Sequence, residues 1–307
     1  MGKGSMLLLF LLVVGYMLVF NLTANASDNS ANNNGKPFVI PEDLPSDLVY
    51  HHDLPIGKGG ERIMKLDLVC PKTPPVQPLP ALVYIHGGGW NHGDKNDHAR
   101  KIIGYAKEGY IGVSIEYRLT HEAIFPAQLE DCKLAIRFLR ANAEKYHINP
   151  DKIGVWGSSS GGHLAALLGT TGGVKELEGD GGWPDFSSMV QAVCDCSGPV
   201  DFINEYADRY SSVTKLLGVN ALADPERARR AMPGTYASPD DPPFLIIHGT
   251  RDTTVPFENS RLFYEVLQKA GVKVTFLPVE GAGHSFSDYP QATAAAKEFF
   301  EKLLKND

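Results

Sequence analysis

Apolar positions along the chain fall first into short unbroken runs and then into stripes three and four residues apart, and the alternation repeats to the C-terminus. Residues 62–69, 81–86 and 110–117 are dense in Val, Ile, Leu and Tyr, the signature of strands, and 97–108 between the last two reads as a helix. Residues 126–146 place Leu129, Cys132, Ala135, Ile136, Leu139 and Ala143 on one helical face, with Pro126 in the first turn. Further strands are expected at 189–196, 243–248 and 272–278, and further helices at 257–270, stopped by Gly271, and at 290–304. The pattern predicts an α/β fold with a mostly parallel central sheet and helices on both faces. Catalytic loops should then lie at the carboxyl ends of the strands.

One stretch compresses this alternation. Residues 152–156 follow an Asn149-Pro150-Asp151 turn and read as a short buried strand, 164–168 read as a helix, and Gly157-Ser158-Ser159-Ser160-Gly161 joins them. A strand that turns at once into a helix forces its apex residue into a strained backbone, and small residues two positions either side let the chain fold back. Ser159 is that apex, so its hydroxyl should project above the sheet as a nucleophile. The Ser160 amide, at the start of the helix, should face any anion that forms beside it.

A serine hydroxyl needs a base within hydrogen-bond reach and an acid to orient that base. Of the ten histidines, His284 is the candidate base, in the glycine-rich Gly281-Ala282-Gly283-His284 after the last strand. His51, His52, His121 and His147 read as surface residues, His248 as packing at a strand end, and His163 as structural. Asp252, just after the apolar run 244–247, is the candidate acid; Asp201, after the preceding strand, is the alternative. His86-Gly87-Gly88-Gly89-Trp90 follows the strand at 81–86, where amides bared by missing side chains can line an oxyanion hole. Gly88 and Gly89 are expected to share that role with Ser160.

These residues, together with Glu116-Tyr117-Arg118-Leu119, Phe125-Pro126-Ala127, Asp131 and Ser197-Gly198-Pro199-Val200-Asp201, resemble the α/β-hydrolase carboxylesterases of the HGGG type. That group includes hormone-sensitive-lipase-like enzymes and bacterial feruloyl and acetylxylan esterases. The resemblance implies an α/β-hydrolase fold with a small cap insertion, and a serine carboxylesterase without cofactor or metal that acts on short-chain or aromatic acyl esters, including esters on plant polysaccharide. Amide cleavage, as in an arylformamidase or a serine peptidase, is the alternative. Two departures are Ser160, where relatives often have Ala, and Cys196, where they often have an aromatic residue that would help to wall the pocket.

Composition narrows the partner. A formal charge of −7 and a pI of about 5.8 argue against nucleic acid and leave a small-molecule or polysaccharide-linked ester. Lys3, an apolar run at 6–22 and Ala24-Asn25-Ala26 read as an export signal over residues 1–26, with a retained membrane anchor as the competing reading. Residues 27–47 read as a flexible linker and 48–307 as the catalytic domain, secreted or periplasmic and without stable membrane association once the signal is cleaved. Cys70, Cys132, Cys194 and Cys196 are expected to be buried thiols, with no His at metal-ligand spacing. The insertion at 201–239 is rich in Asp, Glu and Arg, which suits a fixed wall rather than a greasy lid. Trp90, Trp183 and Phe286 are candidates for aromatic surface in the cleft, with core packing the equal alternative for each.

Overall fold

The computed structural model describes residues 38–204, 211–286 and 288–306. The expected export signal, the start of the expected linker, and Glu205, Asp208 and Arg209 of the cap segment lie outside the described residues. Eight strands are present: β1 (Leu48–Gly59), β2 (Arg62–Pro71), β3 (Leu79–Ile85), β4 (Ile111–Ile115), β5 (Ile148–Ser158), β6 (Ala192–Cys196), β7 (Phe244–Gly249) and β8 (Val274–Val279). They form one sheet in the order β1-β2-β4-β3-β5-β6-β7-β8. β1 and β2 pair antiparallel, as do β2 and β4, and every pairing from β4 through β3 to β8 is parallel.

The helices are α1 (Ala99–Lys107), α2 (Ala127–Ala141), α3 (Ala143–Tyr146), α4 (Ser160–Thr170), α5 (Ser211–Leu217), α6 (Pro225–Arg230), α7 (Phe257–Lys269) and α8 (Pro290–Leu304). Strand alternation assigns their sides. β3 sends Ala81, Val83 and Ile85 into the core beneath α2, α4 and α7, while Leu82 and Tyr84 enter a second core beneath α1 and α8. Both faces are therefore covered, as a parallel sheet requires.

Three features differ from the sequence reading. β1 lies within a stretch with no clear period, because its pairing with β2 slips between His51 and Leu54 and again between Pro55 and Gly57. Each slip changes which side chains face the core and so breaks the two-residue pattern. The expected helix at 126–146 breaks at Asn142, which leaves helical geometry at φ −110° and ψ 21°; its backbone N–H and side-chain amide both donate to the Phe138 carbonyl, at 3.0 and 2.9 Å, and cap the first helix there. Part of the expected linker is docked: the Phe38 ring stacks on His52 at 4.1 Å, and Leu44 packs against the second core.

His52 is also more than a surface residue. Its Nδ1 lies 3.1 Å from Asp67 Oδ1, Tyr50 donates to Asp67 Oδ2 at 2.7 Å, and the buried Lys95 ammonium pairs with Asp53 at 2.5 Å and Asp67 at 3.0 Å. His52, Asp53 and Asp67 bring ligand atoms within 4.8 Å of one another, and Lys95 supplies a cation among them. This network anchors the segment after the Gly87–Gly89 turn to the β1–β2 edge. Among the described residues, no helix is long and apolar enough to cross a membrane.

Candidate active site

The site lies where the strand order reverses. β3 and β5 are sheet neighbours, yet the chain leaves β3 for β4 on one side and β5 for β6 on the other, which opens a crevice at their carboxyl ends. Ile85 pairs with Gly157, so His86 and Ser158 emerge at the same level.

Ser159 sits between β5 and α4 with φ 56° and ψ −125°, a conformation that disfavours side chains. The turn is held by the Ser159 amide, which donates to the Cys196 carbonyl at 2.8 Å, and by the His163 amide, which donates to the Ser159 carbonyl at 3.1 Å. A Cβ on Gly157 would stand 2.0 Å from the Gly161 carbonyl oxygen, so the fold-back needs glycine there.

The Gly87–Gly89 turn rises beside it. Gly88 has φ 117°, and a Cβ there would meet the His92 carbonyl at 2.0 Å. A Cβ on Gly87 would come within 3.3 Å of the Ser159 Cβ, which measures how closely the turn approaches that serine. Among the described residues neither the Gly88 nor the Gly89 amide donates to a protein acceptor. Tyr117 steadies the turn: its hydroxyl donates to the His86 carbonyl at 3.0 Å, and its ring stacks on His86 at 4.2 Å. Burial depresses the His86 pKa to about 4, and its Nδ1–H donates to the Gly87 carbonyl at 2.8 Å.

His284 and Asp252 come from adjacent loops after β8 and β7. The Arg251 amide donates to the Ala282 carbonyl at 2.9 Å and the Gly281 amide to Thr250 Oγ1 at 3.0 Å, which stitches the loops together. His284 Nδ1 lies 2.6 Å from Asp252 Oδ2. Oδ1 of the same carboxylate accepts the Thr254 and Val255 amides at 2.8 and 2.9 Å. Burial would raise the Asp252 carboxyl, but hydrogen bonds from His248, His284 and the Val255 amide outweigh it and hold the group well below the usual carboxylate range. An ionised carboxylate accepts the Nδ1 proton, so Nε2 of His284 is left as the proton acceptor.

Ser159, Ser160, Gly88, Gly89 and His284 line one cavity of about 430 Å³, walled on the cap side by Ser212 and Val213 of α5. Asp201 stands apart from them. Its Oδ1 accepts the Ile203 amide at 3.0 Å, and it lines a different cavity with Met232 and Phe263.

His248 does more than pack at the end of β7. Fully buried, it places Nε2 3.1 Å from Asp252 Oδ2 and 3.0 Å from the Val255 carbonyl, with Nδ1 2.6 Å from Ser260 Oγ. Two acceptors at Nε2 fix a proton there, and Nδ1 accepts from Ser260, so His248 is a second donor to the acid. Its position four residues before Asp252 was the available signal. His163 is structural, as expected: Trp90 Nε1 donates to its Nδ1 at 3.2 Å, and its Nε2 donates to the Ala231 carbonyl at 2.7 Å. It thereby ties the glycine turn, α4 and the cap together. Trp183 is not part of the cleft; its indole N–H donates to the Ile56 carbonyl at 2.7 Å and its ring packs edge-on against Phe138. Phe286 and Cys196 line an adjoining cavity rather than the one at Ser159. All four cysteines are buried free thiols, with Cys194 and Cys196 Sγ 3.9 Å apart.

Comparison with known proteins agrees with this architecture. A family model described as BD-FAE matches residues 66–267. Esterase LipC of Mycobacterium tuberculosis (strain ATCC 25618 / H37Rv) is 33% identical over 250 residues, covering 77% of this chain and 60% of that protein. The chain thus spans a little under two thirds of the length of the curated relatives it matches, 60%, 56% and 59% for three mycobacterial esterases. Among solved structures, a truncated carbohydrate esterase from gut microbiota superposes with a TM-score of 0.78 at 32% identity, covering 87% of this chain and 99% of that one. An acetyl ester-xyloside bifunctional hydrolase from Caldicellulosiruptor lactoaceticus superposes with a TM-score of 0.67 at 28% identity, covering 80% and 88%.

Proposed function

The chain belongs to the BD-FAE family of α/β-hydrolases, and from that premise we propose that it is a serine carboxylesterase acting on short-chain or aromatic acyl esters, including acyl groups carried on plant polysaccharide. The observation that carries this reading is the convergence of a strained Ser159, the paired His284 and Asp252, and the unengaged Gly88 and Gly89 amides at one cavity.

Ser159 Oγ attacks the ester carbonyl while His284 Nε2 takes its proton, and Asp252 holds the imidazole in the required tautomer and stabilises the imidazolium. The amides of Gly88, Gly89 and Ser160 receive the oxyanion. Collapse of the tetrahedral intermediate expels the alcohol, protonated by His284, and leaves an acyl-serine. Water, deprotonated by the same imidazole, then releases the acid and restores the serine.

Substrate class follows from the walls. Val213, Leu216 and Leu217 of α5 are buried in the core, and α6 buries only Ala228. The apolar faces of α5 and α6 are therefore already committed, with Leu222 between them exposed, which suits a fixed wall rather than a lid that exposes a broad apolar face to lipid. The similarity to carbohydrate and acetyl ester-xyloside hydrolases supports a glycan-borne acyl group.

A panel of p-nitrophenyl acetate, butyrate and palmitate, feruloyl esters, acetylated xylan and N-formyl aryl amides tests the reading. Short or feruloyl esters should be cleaved fastest, with no jump in rate at the solubility limit; preference for the palmitate or for the amides would contradict it. The N-terminal pattern supports export, which N-terminal sequencing tests by finding Ser27 first in the mature protein and is contradicted by Met1 retained in the membrane fraction.

A further inference from the structure

A second cavity, of about 290 Å³, adjoins the one at Ser159 and shares Ser158 and His284 with it. It opens on the opposite face of the sheet, between the ends of β3, β5, β6 and β7 and the start of α8, and its size is just below the range of about 300–1,000 Å³ typical of small-molecule sites, which suits a small ligand.

Lys101 of α1 reaches into it. The ammonium lies 4.3 Å from the centroid of the Tyr84 ring and 4.6 Å from that of Trp156. Among the described residues no carboxylate pairs with it and no oxygen accepts from it. Lysine carries three donors, and a surface lysine ordinarily extends its head into water. Lys101 instead folds over two aromatic rings, and burial lowers its pKa. Contact with ring faces offsets only part of the lost hydration. The Trp156 indole N–H is engaged by Cys196 Sγ at 3.2 Å, so it does not compete for an incoming anion.

We propose that this cavity is a carboxylate-binding subsite in which a small organic acid takes Lys101 as counter-ion and lies against Tyr84 and Trp156. A single cation matches a monoanion better than a phosphate. The aromatic walls match an anion with an organic body rather than a bare inorganic ion. The wall shared with His284 places such an acid beside the reacting groups. Two sources share this chemistry: the acid released by hydrolysis, and an acidic sugar substituent next to the ester on a glycan.

Isothermal titration of the purified protein with acetate, ferulate and D-glucuronate, and with acetamide and methyl glucoside as neutral controls, tests the proposal. It reads equilibrium binding without turnover, so its outcome is independent of the esterase assay. At least one acid should bind and neither neutral compound should. Affinity should fall about tenfold or more in Lys101→Gln and survive in Lys101→Arg, as expected for a charge-assisted contact. Thermal melting of both variants establishes that they are folded. Binding of acetate or ferulate alone assigns the subsite to the product, and binding of glucuronate alone assigns it to an acidic substituent. Absence of binding by all three acids, or equal affinity in folded Lys101→Gln, would overturn the proposal.

Discussion

Replacing His248 with alanine would remove a donor from the Asp252 carboxylate in a fully buried place. The imidazole joins three groups, Asp252 Oδ2 at 3.1 Å, the Val255 carbonyl at 3.0 Å and Ser260 Oγ at 2.6 Å. A hydrogen bond to a charged group contributes about 1.5–3 kcal/mol, and each buried partner left without one costs about 1–3 kcal/mol. His248→Ala should therefore lower stability by several kcal/mol and loosen the carboxylate that orients His284. If the whole of one charged hydrogen bond is felt as the imidazolium forms, turnover slows about 10- to 100-fold, at about 1.4 kcal/mol per tenfold. His248→Gln can place an amide N–H where Nε2 stood and should recover most of the rate without recovering the Ser260 contact. Measuring kcat and KM separately on p-nitrophenyl acetate, with circular dichroism as the folding control, reads the effect, which should fall on kcat. A folded His248→Ala protein with parental kcat, or a glutamine variant no better than alanine, would refute the reasoning.

Gly157→Ala would set a Cβ 2.0 Å from the Gly161 carbonyl oxygen, a backbone contact that no rotamer relieves, so thermal melting should show a loss of about 3 kcal/mol or more; an unchanged melting temperature would contradict the turn geometry. Asp195 is fully buried, with Oδ1 accepting the Gly198 amide at 2.9 Å, and burial raises its pKa to about 6 from an ordinary 3.8. Because the folded state holds the proton more tightly, stability is greatest below the unfolded pKa and declines as pH rises toward about 6, by about 3 kcal/mol at about 1.36 kcal/mol per pH unit. Asp195→Asn keeps the acceptor and removes this dependence, so urea unfolding at pH 4, 5, 6 and 7 should show the parent losing ground to the variant; parallel curves would contradict it.

The parts of the site legible in the sequence were those set by local chain geometry. The strand–Ser159–helix turn, the Gly87–Gly89 turn after a strand, and the two loops bearing Asp252 and His284 each carry their signal within a few residues. What was not legible depends on which residues meet through space. His248 reads as a strand-end histidine until the fold brings Ser260 and the Val255 carbonyl to either side of its ring. Lys95 sits in a polar loop and becomes buried only because Asp53 and Asp67 arrive from the β1–β2 edge. β1 is hidden by two slips of register that erase its alternation. Trp183 reads equally as a cleft or a packing aromatic by residue type alone, and the fold decides for packing, with its ring against Phe138 and its indole N–H on the Ile56 carbonyl.

The most direct test of the central claim is to quench the reaction with p-nitrophenyl acetate during turnover and locate the acyl group by peptide mass spectrometry. The account predicts one acetyl group on the peptide that carries Ser159 in the parent, none in Ser159→Ala, and background turnover by that variant with an unchanged melting temperature. Acetylation of a different residue, or comparable turnover by Ser159→Ala, would contradict it.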